Sequence, residues 1–238
     1  MKLDILVFTA HPDDAELACA GTLISHIEMG KEVGIVDLTR GELGTRGTPE
    51  VRAAEATEAS KVMGIHVREN LGFRDGFFTE DEHHKLEVVK MIRKYQPEII
   101  LANAIRDRHP DHGRASSLVS EASFVSGLRM VETSIDGNPQ QPWRAKNVYH
   151  YIQSNFIMPD FIVDVSAAWE KKMRAIRCFK SQFYDPASKE PSTFISSPEF
   201  MKMLESRGKE LGHSIGAAYG EGFTVERHLG VKDLFHLQ

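Results

Sequence analysis

The chain has 238 residues, 41% of them hydrophobic and 26% charged, with a formal net charge of −5. That length supports one large globular domain with its own core, and it excludes collagen-like, disordered and membrane-spanning classes, since no apolar run approaches the ~20 residues needed to cross a bilayer. The acidic balance argues against nucleic acid as a partner, and two cysteines, Cys19 and Cys178, with no CxxC pair, suit a reducing, cytoplasmic compartment.

Strand-like and helix-like segments alternate through the first half, the pattern of βαβ units and a parallel sheet. The apolar run at 3–9 predicts a strand that passes through Ala10-His11-Pro12-Asp13-Asp14-Ala15-Glu16 into a helix near 16–29, stopped by Gly30. Residues 32–38 predict a second strand, opening onto the polar loop 39–47, which is too long for a minimal connection and therefore reads as functional. Thr48 and Pro49 are N-cap and first residue of a helix ending at Gly64. A third strand near 66–71 leads into Gly72-Phe73-Arg74-Asp75-Gly76, and Thr79 with Glu82 predicts a capping box for a helix to Tyr95. Residues 98–102 predict a fourth strand, whose exit carries Asp107-Arg108-His109-Pro110-Asp111-His112-Gly113 before a helix ending near Gly127. A loop at 136–146, strands at 147–153 and 160–165, a helix from Ser166, a helix from Ser197-Pro198 to Leu211 and the tail Tyr219-Gly220-Glu221-Gly222-Phe223 complete the chain. With no repeat, linker or composition shift, residues 1–238 read as a single domain.

Folding alone does not require the cluster at 11–14. A carboxylate at a strand-to-helix junction caps orphan amides and suits the helix dipole, which accounts for one Asp but not for His11 and a second Asp beside it. The cluster at 109–112 likewise follows a strand, and ligands of open parallel sheets bind where loops from neighbouring strands converge at their carboxyl ends. Together the two supply His11, Asp13, Asp14, His109, Asp111 and His112. Nitrogen and oxygen donors without thiolates suit Zn²⁺, or another divalent metal, with three protein ligands and an open position. His11 and Asp14 can face one ion, and His112 can complete the set. Asp13 then remains as a proton acceptor, an imidazolium at His109 as a stabiliser of developing negative charge, and Asp111 as the group that orients that ring.

At these residues the sequence resembles the zinc-dependent N-deacetylases of the PIG-L/LmbE-like family, which carry His-Pro-Asp-Asp after the first strand and His-Pro-Asp-His later; both motifs are complete here. The resemblance implies a Rossmann-like three-layer α/β fold with a mostly parallel sheet and the active site at the carboxyl ends of the strands. It implies zinc on His11, Asp14 and His112, a general base at Asp13, an oxyanion stabiliser at His109 and its orienting partner at Asp111. Length, the Asp107-Arg108 lead-in and Glu221-Gly222-Phe223 are most similar to the bacillithiol-pathway deacetylases, which act on N-acetylglucosaminyl malate. The implied partner is a small N-acetyl sugar, and the implied state a homo-oligomer, trimer or hexamer. Arg52 matches a family arginine that binds sugar hydroxyls and Arg144 one near the pocket mouth; because malate favours bidentate arginine contacts, Arg52, Arg108 and Arg144 are the substrate-binding candidates. Phe194 stands where some relatives have a tyrosine. The alternatives are a deacetylase of N-acetylglucosamine or chitobiose-type sugars and, in another class, a non-catalytic sugar-binding module, against which the intact Asp13 and His109 speak.

Overall fold

Two strand segments, Ile-Leu-Val-Phe-Thr and Val-Gly-Ile-Val-Asp-Leu-Thr, are buried along their whole length, as expected of central parallel strands covered on both faces. They are β1 (Ile5–Thr9) and β2 (Val33–Thr39) of a seven-stranded sheet in the computed structural model, which describes residues 1–236. The other strands are β3 (Val67–Phe73), β4 (Ile99–Ala102), β7 (Asn147–Tyr151), β8 (Phe161–Asp164) and β9 (Gly220–Val225); β5 (Ser134–Ile135) and β6 (Asn138–Pro139) pair as a small hairpin that straddles the start of the loop expected at 136–146. The sheet order is β3-β2-β1-β4-β7-β9-β8, parallel from β3 through β7, with β9 antiparallel to both β7 and β8. The tail at 219–223 is thus a strand. Gly220 and Gly222, which weaken strand propensity, are there because a Cβ at Gly220 would lie 2.9 Å from the backbone of Gly212.

Helices α1 (Asp14–Ala18), α2 (Ala20–Glu28), α3 (Pro49–Met63) and α6 (Trp169–Ile176) cover one face of the sheet, and α4 (Glu82–Tyr95) and α5 (Pro110–Ser126) the other; α7 (Pro198–Ser214) packs on β9. The expectation of a single α/β domain with a three-layer, mostly parallel arrangement holds. Local signals were reliable at α3, where Thr48 caps Val51 N and Gly64 closes the helix at φ 87. At α4 the cap is Asp81, whose carboxylate accepts from His84 N, while Thr79 donates its hydroxyl to Asp81 instead of capping. No described helix is long and apolar enough to cross a membrane.

The helix expected at 16–29 is broken at Cys19 (φ −137), and the reason lies across the molecule. The break frees the amides of Gly21 and Thr22, which donate to the carboxylate of Glu221 at 2.9 and 2.7 Å. Glu221 also accepts from Lys172 Nζ at 2.6 Å, and both residues are buried, so α2, α6 and β9 are tied by one charged knot. Removing one partner of such a pair strands the other charge away from water, a loss of about 3–5 kcal/mol. Lys172→Ala is therefore expected to lower the unfolding free energy by about 3 kcal/mol in urea titration; an unchanged midpoint would contradict this role.

Candidate metal and active site

Strand order reverses at β1: the crossovers run β1 to β2 to β3 on one side, then return to β4 on the other. That switch point opens a crevice beyond the strand ends, and the exits of β1 and β4 deliver the two clusters to it. His11, Asp13, Asp14, His109 and His112 line one cavity of about 410 Å³. Ring nitrogens of His11, His109 and His112 come within 4.8 Å of one another, although about a hundred residues separate the motifs.

Two groups of side chains are close enough to share a cation, His11 with His109 and His112, and His11 with Asp75 and Asp111; Asp14, the third ligand expected from the sequence, lies beside the first group. His11 Nδ1 lies 3.7 Å from Asp14 Oδ2, and His112 Nε2 lies 3.2 Å from Asp14 Oδ1. The outward nitrogens of the two rings each meet a carboxylate: His11 Nε2 is 3.1 Å from Asp75 and His112 Nδ1 is 2.6 Å from Asp107. Carboxylates in that position fix the ring and make the inward nitrogen a better donor to a metal. Burial disfavours a charged ring at His11, yet Asp111, Asp14 and Asp75 outweigh it and hold its pKa well above the usual histidine range. At His112 burial is likewise overcome, by Asp14 and Asp107, and the pKa rises to about 9. Groups that draw a proton this strongly draw a cation too. Five carboxylates, Asp13, Asp14, Asp75, Asp107 and Asp111, meet here against the guanidinium groups of Arg52 and Arg114, so the donor set fits a divalent ion.

Asp14 is held from behind. Asn103 Nδ2 donates to its Oδ2 at 3.0 Å and Gln153 Nε2 to its Oδ1 at 2.9 Å. Asn103 is fixed by Ala10 N, and Gln153 by Asn103 Nδ2 and Ala104 N. The histidine environment holds the Asp14 pKa well below the usual carboxylate range although burial pushes the other way. Asp13 points elsewhere. Its backbone is at φ 127, a conformation that costs a non-glycine residue about 1–3 kcal/mol and so needs the surrounding structure to impose it. Burial pushes its pKa up to about 6, with Arg52 opposing.

His109 caps α5: its Nδ1 accepts from Asp111 N at 3.2 Å, which places the ring proton on Nε2. Burial, with His11 and His112 adding to it, lowers its pKa, and with Nδ1 accepting from Asp111 N the ring has its N–H donor at Nε2. The role expected of Asp111 changes also. Its carboxylate accepts from Gly76 N at 2.8 Å and Arg114 at 2.5 Å and lies 3.4 Å from His11 Nε2, so it faces His11 and orients His109 only through its own backbone amide.

The arginine candidates separate into three cases. Arg52 lines the cavity but is committed to Asp13 (2.9 Å) and the carbonyl of Gly41 (3.1 Å); Gly41, at φ 63, has no room for a Cβ, which would lie 1.8 Å from that guanidinium. Its guanidinium is thus engaged with the protein rather than left open to the cavity. Arg108 lines the cavity with its guanidinium over the ring of Phe194 at 4.5 Å, and Phe194 lines the cavity as well. Arg144 is not at the pocket mouth: it stacks on Phe124 and borders a separate cavity of about 270 Å³. Asp75, Asn103 and Gln153 escaped sequence reasoning. Each sits just beyond a strand end, the signal that identified the two clusters, but none has a histidine beside it in sequence.

Loosening Asp14 is expected to weaken metal binding by about 10–100-fold, the usual effect of removing a group that orients a ligand. Asn103→Ala and Gln153→Ala should show it in competition titrations with a chelating dye, with the circular dichroism spectrum unchanged; an unaltered affinity would remove this role.

A family model described as GlcNAc-PI de-N-acetylase matches residues 6–123. A diacetylchitobiose deacetylase of Thermococcus kodakarensis is 30% identical, covering 75% of this chain and 70% of its own length. A 4-oxalmesaconate hydratase of Pseudomonas putida is 25% identical, with 74% and 73% covered, and a probable N-acetyl-α-D-glucosaminyl L-malate deacetylase 2 of Bacillus anthracis is 24% identical, with 75% and 81% covered. The crystal structure of a conserved protein of Thermus thermophilus superposes with a TM-score of 0.85 at 34% identity, covering 97% of this chain and 98% of that one. With its two motifs joined at the switch point of the sheet, the chain belongs to the PIG-L family of GlcNAc-PI de-N-acetylases.

Proposed function

We propose that the protein is a metal-dependent hydrolase of the N-acetyl amide of an N-acetylglucosaminide, with the malate glycoside as its substrate. The observation that supports the reading is the separation of adjacent aspartates: Asp14 lies 3.2 Å from His112 Nε2, while Asp13, held by Arg52, borders the same cavity with its pKa pushed by burial up to about 6. A binding module needs the first and has no use for the second.

His11 Nδ1, Asp14 and His112 Nε2 are the residues that would hold the ion. A divalent ion there lowers the pKa of water toward ~7 and polarises an amide carbonyl. Asp13 is a base matched to neutral pH; it takes the proton of the attacking water and passes it to the leaving nitrogen. His109 keeps its Nε2 proton and donates it as a hydrogen bond to the oxygen on which negative charge develops. Arg52 prevents Asp13 from turning away, and its charge keeps the base from becoming fully protonated. Asp75 and Asp107 hold the two metal-binding rings in one tautomer.

The malate assignment rests on Arg108. Among the cations lining the cavity, Arg46, Arg52 and Lys172 meet acidic partners and Arg207 two carbonyls, whereas Arg108 rests on the face of Phe194. A guanidinium over an aromatic ring and without an acidic partner keeps its N–H donors for bidentate contact with a carboxylate. Cytoplasmic location, a homo-oligomeric state and zinc as the native metal belong to the same reading.

Asp13→Asn is expected to retain one equivalent of metal and lose at least about 10²-fold in acetate release; full activity would remove Asp13 as the base. His109→Ala should cost about 10²–10³-fold in kcat with little change in KM, as for loss of an oxyanion donor. For the substrate, kcat/KM on N-acetylglucosaminyl malate is expected to exceed that on N-acetylglucosamine, with Arg108→Ala erasing most of the difference through KM. A ratio near one in the unmodified enzyme would sink the malate assignment and leave the deacetylase reading standing.

A further inference from the structure

The cavity does not end at the catalytic residues. It continues past Asp14 between α1, α6 and α7, where its lining turns apolar. Leu17 and Ala18 follow Asp14 by three and four positions, so they share its face of α1 one turn further on. Opposite them Phe200, Leu204 and Leu211 form a single stripe of α7, and Trp169 of α6 closes the far side. This wall is built rather than left over. The Trp169 ring stacks on Tyr219 at 4.1 Å with 6° between planes, and α7 reaches it only because residue 208 is glycine, where a Cβ would lie 2.4 Å from the indole.

A sugar has little to gain in that compartment. Its polar members Lys172, Glu221 and Arg207 are already engaged: the Glu221 carboxylate accepts from Gly21 N, Thr22 N, Thr22 Oγ1 and Lys172 Nζ, and Arg207 donates to the carbonyls of Gln153 and Ser154. Hydroxyl groups placed there would lose water without finding partners, at a cost of about 1–3 kcal/mol each. Other charged groups of the cavity, Asp13, Arg46 and Arg108, lie instead with the loops after β1, β2 and β4, and Arg52 in the first turn of α3. The geometry points to a second compartment that takes an apolar substituent of the substrate, several carbons long, beside the amide that is cleaved. This rests on the deacetylase reading alone, not on the malate aglycone, to which it is an alternative: the shared chemistry is an aliphatic chain, carried either on the amide nitrogen as an acyl group longer than acetyl or on the anomeric oxygen as the aglycone.

Three ligands separate the possibilities: methyl N-acetylglucosaminide as reference, its N-hexanoyl analogue, and hexyl N-acetylglucosaminide. Their affinities for metal-loaded Asp13→Asn protein are measured by calorimetry, which reads binding without turnover. One hexyl-bearing ligand is expected to bind at least tenfold tighter than the reference, because added methylenes leave water for an apolar wall. The N-hexanoyl arm winning assigns the compartment to the acyl group, and the hexyl glycoside arm to the aglycone. Leu204→Trp, which fills the compartment from α7, should bring that ratio close to one. Affinities for both hexyl ligands at or below the reference would overturn the proposal. Acetate release from the reference by the unmodified enzyme tests the activity separately: its absence together with a preserved affinity ratio would count against hydrolysis and for the apolar compartment.

Discussion

The constraint on which the rest of the structure depends is a concentration of buried carboxylate at the carboxyl ends of β1 and β4. Asp13, Asp14, Asp75, Asp107 and Asp111 converge there, four of them nearly inaccessible to water, and carboxylates so placed repel one another and resist desolvation. The arrangement is tolerable because it is answered by histidines that accept protons readily and by a site shaped for a cation. Where a pair of like charges can be separated, the fold separates it. Asp14 is turned inward onto Asn103 and Gln153, and Asp13 is turned outward onto Arg52 by a backbone angle that an aspartate does not adopt unaided. Adjacent residues thereby acquire opposite pKa shifts, Asp13 upward and Asp14 downward, as the proposed division between base and ligand requires.

The same logic recurs away from the site. Glu16, the last acidic residue of the first cluster, does no chemistry: it pairs at 2.6 Å with Arg68, which also takes Asp37 in a two-pronged contact and so ties α1 to β2 and β3. Glu221 and Lys172 join α2, α6 and β9. Buried charge is thus used twice to anchor the elements that flank the cavity, where each carboxylate meets a cation, and once inside the cavity, where carboxylates outnumber the arginines.

Much of the site was legible because each half is contiguous in sequence. His11 through Asp14, and His109 through His112, advertise chemistry at a strand end without any knowledge of contacts, and alternation of strands with helices was enough to bring the two ends to one crevice. What stayed hidden is whatever depends on contact alone. Asp75, Asn103 and Gln153 are single residues in ordinary loops, and only the sheet order places them behind the ligands. Arg144 looked like a pocket residue by its place in the chain, yet β7 carries it to the opposite end of the sheet from the crevice, because it precedes the strand that leads to Gln153. The tail read as a tail because its glycines disguise a strand, and the break at Cys19 was invisible because the carboxylate that stabilises it lies two hundred residues away.

The account turns on which side chains take the ion, since His109 is close enough to be a ligand and Asp14 could in principle be left as a bystander. A crystal of the metal-loaded protein, with the ion located by its anomalous scattering, decides this directly. The account predicts a peak within about 2.0–2.2 Å of His11 Nδ1, an Asp14 oxygen and His112 Nε2, with His109 outside bonding distance and Asp13 unliganded. A peak bonded to His109 in place of Asp14, or one bridging Asp13 and Asp14, would contradict the division of labour between the two aspartates.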